Sequence, residues 1–108
     1  MAIRFDTLED EQKYSEAISA LHVIMSPLAE DVADMFVRAD ETANLDYAET
    51  LINRAVDLLY GAFMAVNAFS AMTNISTFFT SNGMYSSTNV RKVLLDAHSA
   101  LVWCEVID

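Results

Sequence analysis

Few residues of this chain are equipped for chemistry, and their spacing keeps them apart. His22 and His98 are its only histidines, and Cys104 is its only cysteine. Zinc needs about four such ligands gathered at one point, and neither histidine stands in a metal-binding spacing with Cys104. Nucleophilic catalysis needs a thiol or hydroxyl beside a base, yet positions 98 and 104 of one helix point to different faces. Cys104 therefore reads as a small buried apolar residue. Glu30, Asp31 and Asp34 stand at helical spacing, and two such helices could chelate a divalent cation. A di-metal bundle adds Glu-x-x-His motifs, which this sequence lacks. The three acids read instead as a solvated face. Both glycines, Gly61 and Gly83, are isolated, so there is no phosphate-binding loop. These residue types and spacings predict no enzyme, no metal and no cofactor.

Charge says more than the titratable groups do. The formal net charge is −10 and it is lopsided. Acids crowd the segment from Asp6 to Glu49 against only Arg4, Lys13 and Arg38. After that, Asp57, Asp96, Glu105 and Asp108 are nearly balanced by Arg54, Arg91 and Lys92, and no charged residue occurs from Leu58 to Val90. Such a chain repels nucleic acid and anionic membrane surfaces. It suits a basic protein surface, for which Glu30, Asp31, Asp34, Asp40 and Glu41 are the candidate partner-binding residues. Hydrophobic residues make up 54% of the chain, above the usual ~45–50%, and apolar surface that a small domain cannot hide goes into an interface.

The uncharged stretch from Leu58 to Phe79 is long enough to span a bilayer. Asn67, Ser70, Thr73, Asn74, Ser76 and Thr77 interrupt it, so a buried helix is the expectation and a membrane partner is not. The opening Met-Ala-Ile-Arg-Phe-Asp carries no apolar signal segment. With a lone cysteine, this points to a reducing, cytoplasmic location, where the Asn74-Ile75-Ser76 sequon has no role.

The elements that must position these residues are helical. The chain reads as one all-α domain over residues 1–108. Residues 1–5 form a short extended arm, and Asp6 or Thr7 caps a first helix with Glu9, Asp10 and Glu11 in its first turn. Apolar residues from Tyr14 to Ala39 keep helical phase through Pro27. This predicts one arm kinked near Pro27, or two helices nearly end to end with Ser26 as the cap of the second. Asn44 caps the returning helix of a long hairpin, from Leu45 to about Phe79. One stripe of that helix runs Ile52, Val56, Leu59, Phe63 and Val66. A second runs Leu51, Leu58, Ala62, Ala65, Phe69 and Met72. A more polar seam of Asn53, Asp57, Tyr60, Met64, Asn67 and Asn74 lies between them. A helix apolar on two sides packs between neighbours or subunits. A homo-oligomer interface is therefore expected at Leu58, Gly61, Ala62, Ala65, Phe69 and Met72. Asn67 and Asn74, one heptad apart, either fix register at such a seam or face solvent. Thr80-Ser81-Asn82-Gly83 ends the helix, with Gly83 as its left-handed cap, and Met84–Asn89 is a loop. A C-terminal helix follows, with Val90, Leu94, Ala97, Leu101 and Cys104 on one face and Leu95, Val102, Trp103 and Val106 on another.

Phe5-x-x-Leu8-x-x-Glu11 opening one helix, an acidic turn, and Gly61-Ala62-Phe63-Met64-Ala65-Val66 in the returning helix resemble the helical-hairpin domain of phage-encoded cyclic-oligonucleotide sponges. The likeness covers about residues 5–70. Here Ala62 separates Gly61 from Phe63, and Asn67 and Ala68 stand where that family carries a basic residue. The resemblance implies a phage counter-defence protein that sequesters cyclic nucleotide signals in a helical homo-oligomer. An anionic nucleotide held between subunits needs cations, and Lys13, Arg38 and Arg54 are the candidates. The residues themselves favour the other class, a non-catalytic inhibitor or interaction protein that docks on a basic partner.

Overall fold

The computed structural model describes residues 3–72 and 87–107 and, within them, all side chains except those of 69–72, 87 and 88. The described chain is almost entirely helical: α1 (Leu8–Ile24), α2 (Ser26–Glu41), α3 (Leu45–Met72) and α4 (Ser87–Val102). A two-stranded antiparallel ribbon joins β1 (Ile3–Arg4) to β2 (Glu105–Val106), with Ile3 opposite Val106 and Arg4 opposite Glu105.

Local chemistry sets the helix starts. The Thr7 hydroxyl accepts the Asp10 N–H at 3.1 Å, and Glu9, Asp10 and Glu11 follow at the positive end of the helix dipole. The Asn44 side chain accepts the Tyr47 N–H at 3.0 Å and opens α3 in the same way. Ser26, by contrast, is no cap. It lies inside α2, Pro27 occupies the first turn, and the N-cap is Met25 with no side-chain hydrogen bond.

Met25 also decides the topology. Its backbone departs from helical values, with φ −138° and ψ 67°, and there the chain reverses. The Tyr14 and Phe36 rings stack with centroids 4.8 Å apart, and Phe5 packs on both. On a continuous rod these residues would stand about 33 Å apart at 1.5 Å per residue. The expected kinked arm near Pro27 is thus corrected to two antiparallel helices. Helical phase survives such a reversal because each helix turns its own apolar stripe inward, so phase alone does not distinguish a kink from a hairpin.

α1 packs against α2 and α4, and α3 packs against α2 and α4. Short links make α2 antiparallel to both α1 and α3, and the ribbon ties the end of α4 to the start of α1. Among the described residues the result is an up-down-up-down bundle of four helices rather than a long hairpin with an added helix. Leu21, Val32, Leu59, Val90, Leu94 and Leu101 are fully buried and come from all four helices. Each contributes about 1.5–3 kcal/mol relative to exposure. Buried alanines, among them Ala29, Ala39, Ala55 and Ala97, let the backbones approach.

Two further expectations at the C-terminal end are corrected. Ser87, Thr88 and Asn89 belong to α4 rather than to a loop, and α4 stops at Val102 because Glu105 and Val106 leave it to pair with β1. The Ile3 N–H donates to Asp40 Oδ1 at 3.1 Å, and Arg4 pairs with Glu105 at 2.5 Å. Both contacts hold the termini across the base of the bundle. The expected extension of α3 to Phe79, the stop at Thr80–Gly83, residues 84–86 of the expected loop, and Asn74 lie outside the described residues.

Candidate interaction surface

The reactive residues do not gather. His22 is exposed at the last turn of α1, and His98 sits on α4 with its ring 5.6 Å from that of Tyr60. The half-buried Cys104 thiol donates to the Leu101 carbonyl at 3.1 Å, and burial raises its pKa, so it stays protonated at neutral pH. Among the described residues no three His, Cys, Asp or Glu side chains are placed to share a metal ion.

The cations proposed for an anionic ligand lie on three different helices. Lys13 lines a groove of about 360 Å³ between α1 and α4. Glu9, Glu16 and Asp96 share that groove, and Lys92 within it is bound to Asp96 at 2.7 Å. Hydrogen bonding and the charge of Asp96 raise the Lys92 pKa. A phosphate entering here meets more carboxylates than ammonium groups. Arg38 is held by Asp34 at 3.1 Å, one helical turn away on α2, and Arg54 is exposed on α3. Arg91 on α4 is half-buried, and its Nε has no hydrogen-bond partner among the described residues.

Glu30, Asp31, Asp34 and Glu41 are all exposed on α2. The spacing of Glu30, Asp34 and Glu41, with exposed Val37 among them, puts one continuous acidic face outward. Asp40 departs from this group. It is half-buried and accepts the Ile3 amide, so it serves the terminal clasp rather than the outer face.

The expected oligomer stripe on α3 is only partly surface. Leu58, Gly61 and Ala65 are exposed, whereas Ala62 packs against the bundle core. A Cβ added to Gly61 meets nothing within 4 Å, so among the described residues no other helix lies over it. The side chains of Phe69 and Met72 lie outside the described residues.

Larger apolar groups emerge one face over, on the outer seam of α3 and α4. Tyr60 and Met64 are one turn apart on α3, with exposures of 50% and 48%. Leu95 and Val102 flank His98 on α4, with exposures of 42% and 46%. The Tyr60–His98 ring contact joins the two helices, so the four side chains form one row. The sequence pattern assigned Tyr60 and Met64 to a polar seam because Asn53, Asp57 and Asn67 share it. The legible signal was the coincidence of two aromatic or thioether positions at i, i+4 with a second apolar side on the last helix. In the order of the bundle this seam lies opposite α1 and α2, which carry most of the acids.

Comparison with protein-family models, curated proteins and solved structures finds no match to this chain. Among the described residues, no helix is long and apolar enough to cross a membrane.

Proposed function

We propose that this protein is a non-catalytic helical interaction module. It self-associates through the outer seam of α3 and α4 and presents the acidic face of α2 to a basic protein surface, as a sequestering inhibitor does. The observation that carries this reading is the exposed row of Tyr60, Met64, Leu95 and Val102 on the side of the bundle away from the acids. Burying the row removes apolar surface from water. Placing it opposite α1 and α2 lets two strongly negative copies meet while most of their acids stay solvated and apart. The acidic face of Glu30, Asp31, Asp34 and Glu41 then steers a cationic partner over a range set by the salt concentration.

Size-exclusion chromatography with light scattering tests the assembly. The expected mass is a multiple of 12.0 kDa at micromolar concentration, and Met64→Glu or Leu95→Glu reduces it to the monomer. A wild-type chain that remains monomeric at 100 µM overturns the self-association. For the partner face, a pull-down from host lysate should retain a basic protein that is released by salt and by neutralising Glu30, Asp31 and Asp34 together. Cyclic nucleotide sequestration is the competing reading. It is less well supported, because Lys13 is surrounded by Glu9, Glu16 and Asp96 while Arg38 is held by Asp34. A thermal-shift panel of cyclic di- and trinucleotides separates the two. A stabilisation lost in Lys13→Ala or Arg54→Ala would reverse the ranking.

A further inference from the structure

At the ribbon end of the bundle an open cleft of about 340 Å³ lies between α3, α4 and β2. Its apolar lining comes from Ile52, Val56, Leu101, Val102 and Val106, and Glu49 stands with them. The volume is at the small end of the roughly 300–1,000 Å³ of ligand sites, which suits one large side chain better than a metabolite. Val102 and Cys104 both line the cleft, and between them stands Trp103, with 68% of its surface exposed. It is the chain's single tryptophan. The fold thus holds its largest apolar side chain in solvent at the edge of a cleft lined mostly, but not only, by apolar side chains.

We propose that Trp103 of each copy seats in this cleft of a second copy, so that two exchanged indoles anchor a two-fold dimer. This rests on the self-association proposed above and names its central contact. A two-fold interface needs knob and hole on one surface patch, since each copy presents the same patch to the other. Here they adjoin along the chain. Val102 belongs both to the cleft and to the exposed row of α3 and α4, so the exchange and the row form one continuous contact. The chemistry also matches. An indole is apolar except for one N–H donor, and the cleft combines mostly apolar side chains with a polar surface to which Glu49 and Asn53 bring acceptors. The charge balance favours a second copy over a basic partner for this surface, because α3 and α4 carry four acids against three cations whereas α1 and α2 carry nine acids against two.

Tryptophan emission reads Trp103 alone. Expected is a blue shift with rising concentration that tracks the change of mass in light scattering. Trp103→Ala should weaken self-association at least about tenfold, as loss of a central tryptophan anchor does. Val56→Phe, which fills the cleft, should weaken it as well and leave Trp103 emitting as an exposed indole. Mixing the two variants restores one of the two contacts, because the tryptophan of the filled-cleft copy meets the open cleft of the copy without tryptophan. The mixture should associate more tightly than either variant alone and shift the emission to the blue. Far-UV circular dichroism first verifies that both variants are helical, and Asn53→Arg on the exposed rim replaces Val56→Phe if that variant is not. A dimer whose Trp103 emission stays that of an exposed indole, or a mixture with no shift, overturns the exchange and leaves self-association standing. A monomer at every concentration overturns both.

Discussion

The reversal of the chain at Met25 can be tested by coupling Tyr14 to Phe36. The two rings stack at 4.8 Å across α1 and α2, a contact that exists only if the helices fold back on each other. A domain of this size has a total stability of about 5–15 kcal/mol. Truncating buried Tyr14 to alanine would cost about 3–5 kcal/mol by comparison with other aromatic residues, which leaves a double alanine variant close to unfolding. Tyr14→Leu and Phe36→Leu keep apolar bulk and are better suited, with a cost of about 1–2 kcal/mol each. The ring–ring contribution beyond burial is about 0.5–1.5 kcal/mol, so the double variant should be less destabilised than the sum of the singles by that amount. Urea unfolding monitored by circular dichroism, at one fixed protein concentration because self-association adds to apparent stability, gives the three differences. Additivity within about 0.3 kcal/mol, the behaviour of distant independent sites, would refute the folded-back arrangement and restore the extended arm.

Three other outcomes are expected of the same bundle. Gly61→Ala should stabilise the folded chain by up to about 1 kcal/mol, since an added Cβ meets nothing and glycine is costly inside a helix. If it instead weakens the oligomer in light scattering, then another copy crosses at Gly61 and the interface includes the Leu58–Ala65 stripe. Asp40→Ala should cost about 1–2 kcal/mol by removing the acceptor of the Ile3 amide, and hydrogen exchange should report faster loss of protection at Ile3 than elsewhere. Tyr14 is a pH-sensitive group, alongside Cys104, whose pKa burial also raises. Burial first, and the charge of Cys104 second, push the Tyr14 pKa well above the ordinary value of about 10. Above pH 10 the unfolded chain sheds this proton while the native chain keeps it. The unfolded state then binds fewer protons, and stability falls with rising pH. Urea midpoints compared at pH 8 and pH 10.5 should show this loss in the wild type and a smaller one in Tyr14→Phe. Equal losses would place the alkaline sensitivity elsewhere.

Much of the secondary structure was legible because it is set by neighbours in sequence. Thr7 and Asn44 are hydrogen-bonding caps within three residues of their targets, and a 3.6-residue apolar period needs no knowledge of what it packs on. The same locality explains the all-α reading and the extended arm at residues 3 and 4. The charge split between the halves is also a property of the sequence alone. It becomes a spatial split only because the ring order of the bundle puts α3 and α4 opposite α1 and α2.

What the tertiary structure decided are relations between distant residues. Phase along the first two helices is unchanged by a reversal, so the antiparallel packing of Tyr14 on Phe36 was not readable from it. Asp40 looked like one more member of an acidic face, and only the return of the N-terminus to its side makes it an acceptor for Ile3. Glu105 and Val106 follow closely on the last helix but lie in the ribbon, because pairing with Ile3 and Arg4 satisfies their backbone. The apolar row of Tyr60, Met64, Leu95 and Val102 had the same status. Each helix contributes two residues that are unremarkable singly, and they become one surface only when Tyr60 meets His98 across the α3–α4 seam. Short-range hydrogen bonds and periodicity are written locally, whereas a surface is the sum of faces from separate helices. The packing of those helices decides which faces meet.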